Sequence, residues 1–213
     1  MARRPTRELI LSTALALFNE EGLAEVSSVD IASVMGISPG NLHYHFKGKA
    51  LIIEELYQRF ETEIRMVLDA PVSNPLELED NWVYLYIIFE EIYDFRFFYR
   101  NLGWVFEKIP DLAPRFGKLL RVKEAAFDSL VKTLRDEKFV EMSDSEADAL
   151  AERLTMHYTF WLQHSDLRFP DMASKALINR GVYAALVQII PYWSENKDGA
   201  QRLLSEFFKA QSA

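Results

Sequence analysis

Cysteine is absent from all 213 residues. That excludes a disulfide framework and any zinc site built on thiolates, and it suits a reducing compartment. No apolar run reaches the roughly 18 residues that a membrane-spanning helix needs. The basic start of the chain is not followed by the apolar segment of a signal peptide. These absences predict a soluble, cytoplasmic protein with no membrane partner. Nucleophile motifs, a phosphate-binding glycine loop and closely spaced metal ligands are missing as well. No enzyme activity, cofactor or metal is therefore expected. His157 and His164 share a helix face but stand too far apart to chelate one ion together.

What is present is apolar residue in quantity. Hydrophobic side chains make up 49% of the sequence, enough for a packed core and too many for a disordered chain. The net charge is −8, from 24 basic and 32 acidic residues. That sign argues against nucleic-acid binding until its distribution is read. Over residues 1–50, Arg3, Arg4, Arg7, Lys47 and Lys49 are balanced by Glu8, Glu20, Glu21, Glu25 and Asp30. The excess acidity lies in residues 51–213. An acidic body turned away from a duplex costs little, because salt screens charges beyond about 10 Å.

Helical spacing runs through almost the whole chain, so the fold class is all-α. Residues 6–21 set Leu9, Ile10, Thr13, Ala14, Leu17 and Phe18 on one stripe, and Gly22 stops it. Ser27 caps a short helix with Asp30 at the fourth place of a capping-box pattern. Its inner face is read as Ile31, Val34 and Met35. A linker helix follows at 49–68. After a break at Pro71–Pro75, helices are expected near 78–101, 104–109, 112–137, 144–165, 172–190 and 195–211, with Pro110, Pro114, Pro170 and Pro191 at boundaries or kinks.

The segment Gly36 to Leu51 carries the functional signal. A helix-turn-helix needs a small residue where two helices cross, a turn residue that tolerates positive φ, and apolar anchors beneath. Ala32, Gly36 and Ile37 meet those needs. Ser38 caps the second helix and Pro39 occupies its first position. Leu42 and Phe46 anchor one face. Pro39, Gly40, Asn41, His43, Tyr44 and His45 are left facing outward, a polar and aromatic edge suited to base edges, sugars and phosphates.

Asp30-Ile31-Ala32, Gly36-Ile37-Ser38, Gly40 to Phe46, Lys49 and Leu51 together closely resemble the N-terminal domain of the TetR family of regulators, over roughly residues 6–55. The resemblance implies a homodimer whose two recognition helices enter successive major grooves of a near-palindromic operator. It also implies a C-terminal domain that responds to a small-molecule effector. Carried over by position, it places Ser28 and Val29 near the DNA, Pro39, Gly40 and Asn41 against base edges, and His43, Tyr44, His45 and Lys49 on the phosphate backbone. His43 stands where members usually carry Tyr. Val29 and Pro39 stand where some carry polar base readers. Residues 1–48 are accordingly read as the DNA-binding domain and 49–213 as the effector-binding and dimerisation domain.

Residues 82–99 are apolar on nearly all sides, so this helix should be central. Large rings with polar tips line many small-molecule pockets. Trp82, Tyr86, Phe89, Tyr93, Trp104, Phe127, His157 and Trp161 are therefore the candidate effector site, for a hydrophobic or aromatic compound. An aromatic-rich core without a cavity is the other reading of the same residues, and it would make the body an architectural or protein-interaction module. Broad apolar stripes run through Ala147, Leu150, Ala151, Leu154, Tyr158, Trp161 and Leu162 and through Ala176, Leu177, Val182, Tyr183, Leu186, Val187 and Ile190. The resemblance implies that this helix pair packs against its mate as a four-helix bundle; completing the chain's own core is the other reading of the same stripes.

Overall fold

The computed structural model describes residues 6–70, 78–194, 199, 202, 204–206, 208 and 209. Among them every regular element is helical, and the one β feature is an isolated antiparallel bridge between Val140 and Trp193. The helices are α1 (Thr6–Glu20), α2 (Ser28–Val34), α3 (Pro39–His45), α4 (Lys49–Asp69), α5 (Leu78–Asp94), α6 (Arg96–Arg100), α7 (Leu102–Lys108), α8 (Leu112–Asp136), α9 (Asp144–Arg168) and α10 (Ser174–Val187). A 3-10 turn follows at Ile190–Tyr192. The break at Pro71–Pro75, the basic Arg3 and Arg4, and most of the helix expected at 195–211 lie outside the described residues.

The chain divides into two compact units. One comprises Met1–Glu63 with Asp94–Phe116, the other Ile64–Tyr93 with Gly117–Ala213. In the first unit, α1 buries Ile10, Leu11, Ala14, Leu17 and Phe18. Leu11 takes the place expected of Leu9, which is 37% exposed. The inward stripe runs through 11, 14 and 18, the i, i+3, i+7 spacing of one helix face. The second correction is in α2. Val34, expected on its inner face, is 65% exposed. Ile31 and Ala32 are the buried pair, and Val34 lies about 200° around the helix from Ala32 at 3.6 residues per turn. Tyr57 and Phe60 of α4 then pack on Phe95, Phe98 and Tyr99 at ring separations of 5.0 to 6.4 Å. Segment 94–116 thus shares a core with the N-terminal helices.

The continuous helix expected over 78–101 is interrupted at Phe95. The reason is tertiary. The side chain of Asn19 takes the Asp94 carbonyl and the Phe97 amide for itself.

In the second unit, Leu85, Ile88, Phe89 and Ile92 of α5 are buried, as are Phe127 and Val131 of α8. The start of α9 is fixed by a capping box, Ser143 with Glu146. Ala147, Leu150, Ala151, Leu154, Tyr158, Trp161 and Leu162 are all buried within this one chain. The stripe assigned to a mate is therefore used by the chain's own core. The outward apolar residues of α9 are instead Met156, Phe160 and Leu167, at 59%, 49% and 89% exposure.

Candidate nucleic-acid interface

The reader is built from three short devices. Ser27 accepts from Asp30 N–H and Asp30 accepts from Ser27 N–H, so α2 begins with a reciprocal capping box. That bonding also holds the Asp30 carboxyl below its usual pKa. At the other end, Gly36 turns at φ +65°, which a side chain would resist. Its N–H donates to Ser33 O, and Ile37 N–H donates to Ala32 O, both at 3.0 Å. Ser38 then starts α3, its hydroxyl accepting from Asn41 N–H at 3.1 Å, with Pro39 in the first turn.

Leu42 and Phe46 hold α3 from beneath, at 2% and 3% exposure. With that face committed, the opposite face must be solvent-facing. Pro39, Gly40, Asn41 and His43 are exposed, and Tyr44 reaches 85%. Its ring meets His45 edge-on at 5.3 Å. Val29 at the start of α2 is 58% exposed, while Ser28 and His45 are partly covered. The arrangement joins an amide, two imidazoles, a phenol and an aliphatic group on one protruding edge. It carries no cluster of nucleophile and base, and no group of three His, Asp or Glu able to hold a metal occurs among the described residues.

Lys49 departs from the expected set. Its ammonium donates to the Leu23 carbonyl and lies 5.6 Å and 5.1 Å from the ring centres of Phe18 and Trp104. Burial lowers its pKa, with Asp30 and Glu25 pulling the other way. A lysine committed to a carbonyl and two rings is not presented to a phosphate. Trp104 itself belongs with the N-terminal unit.

Beneath the reader, an ion-pair network joins α1 to α4. Arg7 pairs with Glu55 and Arg59 with Glu8, and the Arg7 guanidinium lies 4.8 Å from the Phe46 ring centre. These are positions that periodicity alone did not single out. The one available signal was charge of opposite sign at the start of α1 and along α4.

In the second unit, Phe89, Phe127, His157 and Trp161 come together around Tyr158, a residue that helical spacing places on the packing stripe of α9. Phe89 stacks on Tyr158 at 3.9 Å, Phe127 sits 5.0 Å from Tyr158, and His157 lies 5.0 Å from Trp161. Their polar tips are taken by backbone: Tyr158 donates to Leu85 O, Trp161 to Leu177 O, and His157 Nε2 bonds Gly181 O. Trp82 instead neighbours Phe208 at 6.3 Å, and Tyr93 bonds Ser174 at 2.7 Å. Tyr86 is half-buried, which raises its phenol pKa. An open groove of about 470 Å³ borders this cluster, lined by Arg153, Met156, His157, Phe160, Trp161 and His164 of α9 with Ala184 and Gln188 beyond them.

Comparison with known proteins agrees with this construction. Residues 10–56 match the family model described as "Bacterial regulatory proteins, tetR family", and residues 59–200 match the one described as "Bacterial transcriptional repressor" under the name TetR. The "HTH-type transcriptional regulator AcrR" of Shigella flexneri is 36% identical over 59 residues, covering 28% of this chain and 27% of that protein. The "HTH-type transcriptional repressor KstR2" of Mycolicibacterium smegmatis is 35% identical over 33% of this chain and 36% of its own length. The chain thus spans about a third of the length of these curated relatives. A solved TetR-family transcriptional regulator from Marinobacter aquaeolei VT8 superposes with a TM-score of 0.84 at 27% identity, covering 98% of this chain and all of that one.

Proposed function

The chain belongs to the TetR family of transcriptional regulators, which are not enzymes, and on that premise we propose that it is a homodimeric repressor of a near-palindromic operator. The observation that carries the DNA-reading role is the edge of α3: Tyr44 stands 85% exposed on a helix whose other face is locked by Leu42 and Phe46. A large ring held in solvent by its scaffold contributes nothing to folding and suits a groove wall. Residues 1–48 serve as the reader. Ser28, Val29, Pro39, Gly40 and Asn41 approach bases, and His43, Tyr44 and His45 meet sugar and phosphate.

Dimerisation is supported by the face of α9 and α10 that the chain leaves open. Met156 and Phe160 stand exposed one helical turn apart on the same groove, and the small Ala184 beside them permits close helix approach. Two copies joined there would present two readers, which must meet one face of B-DNA about 34 Å apart.

An effector of hydrophobic or aromatic type fits the chemistry of Phe89, Phe127, His157 and Trp161, with Trp82, Tyr86 and Tyr93 further along α5. Effector and operator would then oppose each other reciprocally. The 3.9 Å stack of Phe89 on Tyr158 and the backbone-satisfied polar tips favour a second reading, in which this cluster is core and the body answers to a protein partner instead.

The test is operator selection from a random duplex pool with the wild-type protein, followed by affinity measurement for Tyr44→Ala. Enrichment of a two-fold symmetric site and an affinity loss on the order of tenfold, the scale of about one good hydrogen-bonded contact, are expected. Unchanged binding by Tyr44→Ala would remove α3 from the groove. Titration of hydrophobic aromatic probes against intrinsic Trp fluorescence separates the two readings of the body.

A further inference from the structure

Residues 90–99 contain neither Gly nor Pro. Nothing local ends a helix at Asp94, yet α5 stops there and α6 restarts at Arg96, with Phe95 between them at φ −108°, ψ 33°. One side chain far away in sequence fills the gap. Asn19 Nδ2 donates to the Asp94 carbonyl at 2.7 Å, and Asn19 Oδ1 accepts from the Phe97 N–H at 2.9 Å. Helix ends leave such groups without intrahelical partners. A carboxamide is the side chain that satisfies a carbonyl and an N–H at once.

The surroundings reinforce this contact. Phe18, next to Asn19, packs on Phe97 with ring centres 5.4 Å apart. Asn101 Nδ2 caps the Phe97 carbonyl at 2.7 Å. Asn19 itself lies on the last turn of α1, the helix on which α2 packs, and α2 in turn carries α3. Asn19 holds the break open between Asp94 and Phe97. Closing it into the continuous helix expected over 78–101 would cost α1 both bonds.

Resting on the DNA-reading role proposed above, we propose that Asn19 is a positioning residue for operator reading: its carboxamide ties the interrupted backbone at Asp94–Phe97 to α1, so that the open break and the operator-competent reader form together. Any event that straightens the chain through Phe95 then disarms the reader through α1. In this role the break at Phe95 serves as the two-state element that coupling over distance requires.

The experiment is amide hydrogen exchange on the full chain, with and without the duplex selected by the wild-type protein. In wild type, duplex should slow exchange over residues 41–46 and also at the Phe97 N–H, the latter by about tenfold, the equivalent of roughly one added net hydrogen bond. At saturating duplex, Asn19→Ala should keep the protection over 41–46 and lose it at Phe97. Asn19→Asp retains the acceptor for Phe97 and loses the donor to Asp94, so it should fall between. That variant also keeps the test decisive if Asn19→Ala does not fold. Wild-type protection over 41–46 with none at Phe97 would overturn the proposal and leave DNA reading intact. Retention of duplex-dependent protection at Phe97 in both variants would overturn it too. No protection anywhere would overturn the DNA-reading role and this proposal together.

Discussion

Trp161 Nε1 lies 2.7 Å from the point where a Cβ on Gly181 would stand, and Phe89 Cζ lies 2.9 Å from it. Both rings are fixed, Trp161 by its bond to Leu177 O and Phe89 by its stack on Tyr158. A methyl group at 181 has no room unless one of them moves. Gly181→Ala should therefore destabilise the protein by about 1–3 kcal/mol, the range for overpacking a filled core. Gly103→Ala on α7 provides the contrast, because a Cβ there meets no atom within 4 Å. It should be neutral or stabilising by up to about 1 kcal/mol from helix propensity. Urea unfolding of both variants checks this, and equal midpoints would mean that α10 does not approach these rings so closely.

The burial of His157 beside Gly181 makes stability depend on pH. Burial lowers the pKa of His157, the bond to Gly181 O opposes that shift, and the charge of His164 adds to it. The folded state thus resists a proton that the unfolded chain takes near pH 6.5. Stability from this group is complete above the unfolded value and is lost as pH falls below it toward the depressed folded value. The melting temperature should fall between pH 7.5 and 5.5, and His157→Gln should flatten part of that fall. An identical slope in the variant would place the titration at another group.

A second buried base acts at the other end of the pH range. Lys123 is fully enclosed, and burial lowers its pKa to about 7. An unfolded lysine keeps its proton to about pH 10.4. Between those values the unfolded state holds more protons, so stability should rise with pH from 7 to 9. Lys123→Met should remove that rise. A urea midpoint that climbs equally in the variant would assign the effect elsewhere.

The reader was legible in the sequence because its signals are local. Ser27, Asp30, Gly36, Ser38 and Pro39 each act within four residues, so their caps and turn follow from order alone. Leu42 and Phe46 follow from helical spacing. The break at Phe95 was not legible, because its cause is Asn19, distant in sequence and unremarkable on α1. The fate of Lys49 was hidden for the same reason: Leu23 and Trp104 decide it, and neither is a sequence neighbour. The stripe on α9 is legible from helical spacing, but spacing does not distinguish a partner in the same chain from one in another copy. The structure assigns that stripe to the chain's own core and leaves Met156 and Phe160 outward.

Those outward residues make a sharp test of assembly. Phe160 is 49% exposed on the rim of the α9–α10 groove, so Phe160→Glu should leave each chain folded while placing a charge in a contact between copies. Sedimentation should then report a monomer for the variant and, if the proposed assembly holds, a dimer for the wild type, with operator affinity falling in parallel. A variant that sediments as the wild type does would move the dimer contact off this face.

Lys49 offers the cleanest separation of holding a fold from holding DNA. Each phosphate contact removed should lower the salt slope of operator binding by about 0.9. Because the Lys49 ammonium is bound to Leu23 O between two rings, Lys49→Met should lower the urea midpoint and leave that slope unchanged. Lys47, exposed two residues earlier, is the contrast: Lys47→Met should leave the midpoint unchanged. A slope reduced by about 0.9 in the Lys49 variant would mean that DNA draws the ammonium out from under Trp104, at the expense of the Leu23 bond.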